Sequence, residues 1–240
     1  MVTFIEVNLK LMTLADAITT ALGQVAIDDI SVPKPVDPMD ELYFRKLVSW
    51  SYVALVEAFP ISQKQLMVLL RTMDSVGHTR LNETKNLVNA LRTVQSHNTS
   101  KPSPSNNRQI VLAESWLLTN GGTPCSWEAC CIKFCAQLYD FFSSLSAVWA
   151  KATEDEQDKA SFINTLKAAF DKDWPTHGFD SAVADAANAI GLKDFAVVAY
   201  RTVHFADWKK LADLFEDRQS AKEAVERAIS AGLKITFGGP

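Results

Sequence analysis

Helical periodicity, broken by prolines and glycine pairs, constrains this chain more than any other feature. From Asp40 to Phe59 the residues Leu42, Leu47, Trp50, Val53, Ala54 and Ala58 recur at spacings that share one helix face, and Pro60 ends the run. Asn82 to Val94 sets Leu87, Leu91 and Val94 on one face. Arg108 to Leu118 reads as a short apolar helix closed by Asn120-Gly121-Gly122, and Ser126 to Ala150 as a long one, on the order of 37 Å. Two boxes, Ser62 to Gln65 and Thr153 to Glu156, predict helix starts, because a hydroxyl and a carboxylate or amide three residues on can satisfy each other's backbone N–H groups.

The second half repeats the pattern. Helices are expected over Glu154–Lys172 with Phe162, Leu166, Ala169 and Phe170 inward, Ser181–Ile190 before Gly191, Asp194–Phe215 with Phe195, Val198, Phe205, Trp208, Leu211, Leu214 and Phe215 as its apolar stripe, and Ser220–Ala231, with Thr236–Pro240 a frayed tail. Residues 2–11 are open to two readings. Thr3, Ile5, Val7, Leu9 and Leu11 alternate like a strand, whereas Val7, Leu11, Leu14 and Ile18 keep helical spacing. A helix from about Leu9 to Leu22 is favoured. The fold class expected is therefore all-α. Asp28 to Pro38 forms a proline-rich linker, and a polar loop spans residues 98–107. Residues 1–150 are expected to form one helical bundle and residues 151–240 a second, small helical subdomain for recognition, with Arg201, His204 and Lys209 on its working surface.

Composition narrows the function classes. With 240 residues, 48% hydrophobic and 22% charged, the chain matches an ordinary soluble globular protein. No apolar run reaches membrane-spanning length, and the N-terminus lacks the basic start of a secretory signal, so a cytoplasmic location without membrane contact is expected. A net charge of −4 argues against a generic nucleic-acid surface. The stretch Arg80 to Arg108 is locally different: Arg80, Lys85, Arg92, Lys101 and Arg108 face Glu83 alone. Cys125, Cys130, Cys131 and Cys135 lack the spacing of a zinc finger or ribbon. They are expected to be reduced, buried and apolar in character, although Cys131 and Cys135 share a helix face on which a metal or a disulfide is conceivable. No metal or cofactor is expected.

The chemistry-bearing candidate is the run Leu91-Arg92-Thr93-Val94-Gln95-Ser96-His97-Asn98. Arginine offers phosphate oxygens a permanent cation with a planar fork. Histidine moves a proton near neutral pH. On a continuous helix five residues turn about 500°, leaving the two side chains roughly 140° apart. The polar run after His97 predicts that the helix ends near Ser96 or His97, where the histidine can swing back toward Arg92. A second match, Arg71 to His78, is interrupted by Gly77 and reads as a helix terminus and turn, with a new helix starting after Arg80. Arg201 and His204, three apart, read as a packed surface beside Phe205 and Trp208, and His177 before Gly178 as a turn residue.

The phrase Ala90-Leu91-Arg92-Thr93-Val94-Gln95-Ser96-His97-Asn98 resembles the Arg-x(4–6)-His segment of the HEPN superfamily, and Asp40 to Phe59 resembles the long helix that precedes it. The resemblance covers roughly Asp40 to Trp149. It implies a bundle of four or five helices that dimerises, as a homodimer or with a second HEPN-like chain, to bring two Arg/His pairs together. It also implies a metal-independent endoribonuclease of a toxin–antitoxin or antiviral system, with RNA as substrate and a neutralising or activating protein partner. Arg92 and His97 would then be catalytic, Arg80, Lys85, Lys101 and Arg108 would bind RNA, and Glu57 would support Arg92 from the preceding helix. Many active members carry Asn, Asp or His directly after the arginine, where this chain has Thr93. The alternative is a non-catalytic helical adaptor or regulatory subunit that binds a protein partner.

Overall fold

Thr3 and Glu6 close a reciprocal capping box: the Glu6 carboxylate accepts from Thr3 N–H at 2.7 Å, and Thr3 Oγ1 accepts from Glu6 N–H at 3.4 Å. That cap starts α1 (Phe4–Leu22) five residues ahead of the expected Leu9 and excludes the strand reading, because Phe4, Val7, Leu11, Leu14 and Ile18 are buried on one helical face. The computed structural model describes residues 1–96, 104–171, 174, 178–215 and 217–238. Among them there is no strand, and the fold is all-α.

The remaining helices are α2 (Glu41–Tyr52), α3 (Pro60–Met73), α4 (Ser75–Ser96), α5 (Pro104–Gly121), α6 (Trp127–Ala152), α7 (Glu156–Asp171), α8 (Asp180–Ala189), α9 (Val197–Ala212) and α10 (Arg218–Phe237). A π-helical turn, Val53–Ala58, continues α2, and the chain bends by 83° between it and α3. Pro60 occupies the first turn of α3, where its missing N–H costs nothing.

The chain divides into two compact units, Met1–Leu166 and Lys167–Pro240. The division falls inside α7, whereas the sequence reading set it at 150/151. Residues 156–166 of α7 belong with unit 1, where Phe162 packs on Trp149 with ring centroids 6.0 Å apart. In unit 1, α6 packs against α1, α2, α3, α4 and α5. Its sequence explains this central place. Cys130, Cys131, Phe134, Cys135, Leu138, Phe141, Phe142 and Leu145 fall on two adjacent stripes and are all fully buried. In unit 2, α8, α9 and α10 enclose a smaller core built on Phe179, Val183, Trp208, Val225, Ile229 and Leu233.

Several local expectations are corrected. Ser62 does not cap a helix. Helix α3 has already begun at Pro60, and Ser62 is buried with its hydroxyl donating to Ala26 O at 3.5 Å. Thr153 likewise ends a helix instead of starting one, donating to Trp149 O at 2.9 Å; α7 is started by Asp155, which accepts from Gln157 N–H at 2.8 Å. Helix α4 begins at Ser75, under an Asp74 side chain that accepts from Gly77 N–H at 2.9 Å, so Gly77 and His78 lie in its first turns. The Arg71 to His78 span does cross a helix end, after Met73. Helix α5 extends back to Pro104, into the expected loop, and α10 continues through the expected tail to Phe237, whose ring meets Phe195. Leu42, Val198 and Leu214, assigned to core stripes, are exposed.

Candidate functional site

Helix α2 turns Tyr43, Phe44, Leu47, Val48 and Trp50 into the core of unit 1. Its opposite face therefore carries Arg45, Lys46, Ser49 and Tyr52, at helical spacing, toward α4. With Arg92 from α4, Val53 and Glu57 from the π turn, and Val32 and Pro33 from the preceding segment, these residues line a cavity of about 380 Å³. The π turn is what places Glu57 at this rim, since a turn widened by one residue rotates the side chains that follow it.

Arg92 is half-buried, and its guanidinium carbon lies 5.7 Å from the centroid of the Tyr52 ring, within cation–π range. Among the described residues no carboxylate pairs with Arg92 or with Lys46, whereas Arg45 is held by Glu41 across one helical turn at 2.6 Å. Glu57 is exposed and shares the cavity with Arg92, but no ion pair joins them. The site thus keeps two uncompensated cations beside a phenol and a hydroxyl, an arrangement that suits a phosphate oxygen as ligand. Thr93 takes no part. Its hydroxyl donates to Asn89 O at 2.8 Å, one turn back along α4.

The other residues expected at an RNA surface are dispersed. Arg80 pairs with Asp140 of α6 at 3.1 Å. Lys85 is drawn inward, and burial lowers its pKa below the ordinary lysine value. With the amide of buried Gln63 oriented to satisfy both of its ends, Lys85 Nζ donates to the Gln63 side-chain oxygen at 3.1 Å and the Gln63 amide nitrogen donates to Leu55 O at 2.8 Å. Arg108 is exposed on α5, lining a separate depression with Val111, Leu112 and Ser115. His97, Lys101 and His177 lie outside the described residues.

In their place the structure sets Arg45 and Lys46 beside Arg92, two cations that the sequence reading passed over. The signal was present: Arg45, Ser49 and Tyr52 form the polar complement of the apolar stripe on the same helix. On unit 2, Arg201 is also spent internally. It donates to Asp180 at 2.6 Å with only 16% of its side chain exposed, tying α9 to α8, while His204 lies between the rings of Tyr200 and Trp208. Both findings agree with the packed surface read from the sequence for Arg201 and His204. The described residues hold no group of three or more His, Cys, Asp or Glu able to grip a metal ion. No family model, curated protein or solved structure matches this chain.

Proposed function

We propose that the chain is a HEPN-like, metal-independent endoribonuclease whose phosphate-binding site is the Arg92 cavity. One observation carries this reading: Arg92, the arginine of the motif, faces a cavity that also presents Lys46 and Arg45, and neither Arg92 nor Lys46 has an acidic partner among the described residues. The substrate's own 2′-hydroxyl is the nucleophile. It attacks phosphorus, the 5′-oxygen leaves, and the products carry a 2′,3′-cyclic phosphate and a 5′-hydroxyl. Arg92 stabilises the charge gathering on the phosphoryl oxygens, Lys46 holds the adjoining phosphate, and His97 transfers the proton. A homodimer, or a pairing with a second HEPN-like chain, would set two such cavities against one RNA, in a toxin–antitoxin or antiviral setting.

Mixed RNA incubated with the protein in EDTA tests this reading. Cleavage is expected to fall about 10²- to 10³-fold in Arg92→Ala and to vanish in Arg92→Ala/His97→Ala. Lys46→Ala should weaken RNA binding and reduce its salt dependence by about one ion. Equal cleavage by all four proteins, or cleavage that EDTA abolishes, would refute the assignment.

A second reading, a non-catalytic adaptor, is favoured by α5. Val111, Leu112 and Leu118 are exposed there on one side of the helix, and Ala113 is its only fully buried side chain among those described. A stoichiometric protein partner released by Val111→Asp/Leu118→Asp, with no RNA bound or cut, would establish that reading instead.

A further inference from the structure

The turn between α5 and α6 brings two thiols together. Cys125 Sγ lies 3.9 Å from Cys130 Sγ, five residues on in the first turns of α6. The contact depends on Gly121. A Cβ built there would stand 2.6 Å from Cys125 Sγ and 2.8 Å from Cys130 Sγ, so only glycine lets both sulfurs share the space over its α-carbon. The turn is further pinned by Ser126 N–H donating to Gly121 O at 2.8 Å, and Gly122 at φ +74° reverses the chain. Exposure is divided between the pair: Cys125 is half-buried, whereas Cys130 is enclosed. Cys131 and Cys135, the pair that the helix face alone suggested, are both fully buried in the core.

We propose that Cys125 and Cys130 form a redox-active dithiol, a covalent modification site that takes small-molecule disulfides as its oxidant. The Cys125 thiolate attacks one sulfur of a disulfide RS–SR, forming a mixed disulfide and releasing RS⁻. Cys130 then loses its proton to solvent and attacks the Cys125 sulfur, closing the 125–130 bond and releasing the second RS⁻. Two protein thiols are oxidised and one RS–SR is reduced to two thiols. Closure requires the sulfurs to approach from 3.9 Å to about 2.05 Å, a movement that side-chain rotation in the turn supplies. Burial pushes the Cys130 thiol up to about 12, so Cys130 is the slow, resolving partner and Cys125 the point of entry.

Titration with mixtures of reduced and oxidised glutathione, quenched with N-ethylmaleimide and mapped by peptide mass, tests the assignment on the whole chain. The wild type is expected to lose two hydrogen masses at the 125–130 pair and to gain roughly 4–8 °C in Tm. Cys130→Ala should stop at a glutathione adduct on Cys125, and Cys125→Ala should take up no glutathione. Gly121→Ala, whose methyl separates the sulfurs, should accumulate the mixed disulfide instead of closing it. A wild-type adduct on Cys125 that never resolves, a bond at 131–135 instead, or full alkylation of both thiols after oxidation would each overturn the proposal. None of these readouts involves RNA, so the outcome is independent of the proposed nuclease activity.

Discussion

Helices α6 and α9 show how differently the two units hold together. The 26 residues of α6 bury ten side chains, eight of them, Phe134, Phe141, Phe142 and Leu145 included, with no exposure at all. The 16 residues of α9 bury only Trp208 and Ala212, and Val198 and Val203 stand 59% and 72% exposed. Unit 1 is organised by a central helix covered on several sides. Unit 2 rests on aromatic ladders instead: Tyr200, His204 and Trp208 succeed one another along α9, and the Tyr200 hydroxyl comes so close to Gly232 of α10 that a Cβ there would meet it at 3.1 Å. A domain of fewer than about 80 residues has little surface to bury, and such ladders compensate only in part.

The largest test of that contrast is side-chain truncation. Phe141→Ala should cost about 3–5 kcal/mol, because its cavity lies in the covered interior of unit 1. Val203→Ala in α9 should fall within about 0.5 kcal/mol despite removing an apolar side chain from a helix. Urea unfolding of the two variants measures both. A loss above about 2 kcal/mol for Val203→Ala would show that the exposed face of α9 is covered in solution.

Alkali should act next most strongly, and mainly on unit 1. Burial pushes Cys130, Cys131, Cys135 and Tyr43 up to about 12, and all four belong to unit 1; among the described residues of unit 2 Tyr200 alone is raised. These groups stay neutral in the fold, while the unfolded chain ionises its thiols from 9.0 and its phenols from 10.0. The stabilisation is therefore complete below pH about 9 and is lost as pH rises toward 12, amounting to at most a few kcal/mol for each thiol. Methyl NMR signals of Leu145 and Val148, followed in reductant, should collapse before those of Val225 and Ile229. Simultaneous loss would mean that the units do not unfold separately.

The same contrast explains what was legible in the sequence. Wide apolar stripes such as that of α6 determine both a helix and its buried face, so the all-α class and most helix bodies follow from periodicity. Cap geometry was less readable, because a Ser/Thr-x-x-Glu/Gln pattern does not say whether its hydroxyl begins one helix or ends another. Thr3 and Glu6 make the box, while Thr153 spends its hydroxyl on α6. On α9 the stripe failed because Tyr200, His204 and Trp208 pack ring on ring along one side of the helix, leaving Val198 outside. At the cavity, Arg92 was legible as a residue type, but its neighbours Arg45 and Lys46 are 46 or more positions away in sequence and come together only through the packing of α2 on α4.

Acid supplies the smallest and most symmetrical test. Among the described residues each unit carries one carboxylate whose pKa is lowered by capping a helix. Glu6 accepts from the backbone and side chain of Thr3, and Asp217 accepts from Ser220 N–H at 2.8 Å at the start of α10. A lowered folded pKa means that the fold favours the ionised form. The contribution is present above the unfolded values of 4.5 and 3.8 and is lost as pH falls through the lower folded ones. Both groups are fully exposed, so solvent and salt screen the effect and it should be small in each unit. Glu6→Gln and Asp217→Asn keep a capping oxygen while removing the titration. Each variant should flatten the acid limb of its own unit's melting curve and leave the other's unchanged. The two units, unequal in alkali, should thus respond alike to acid; a markedly larger acid loss in unit 1 would place a further titrating carboxylate in its structure.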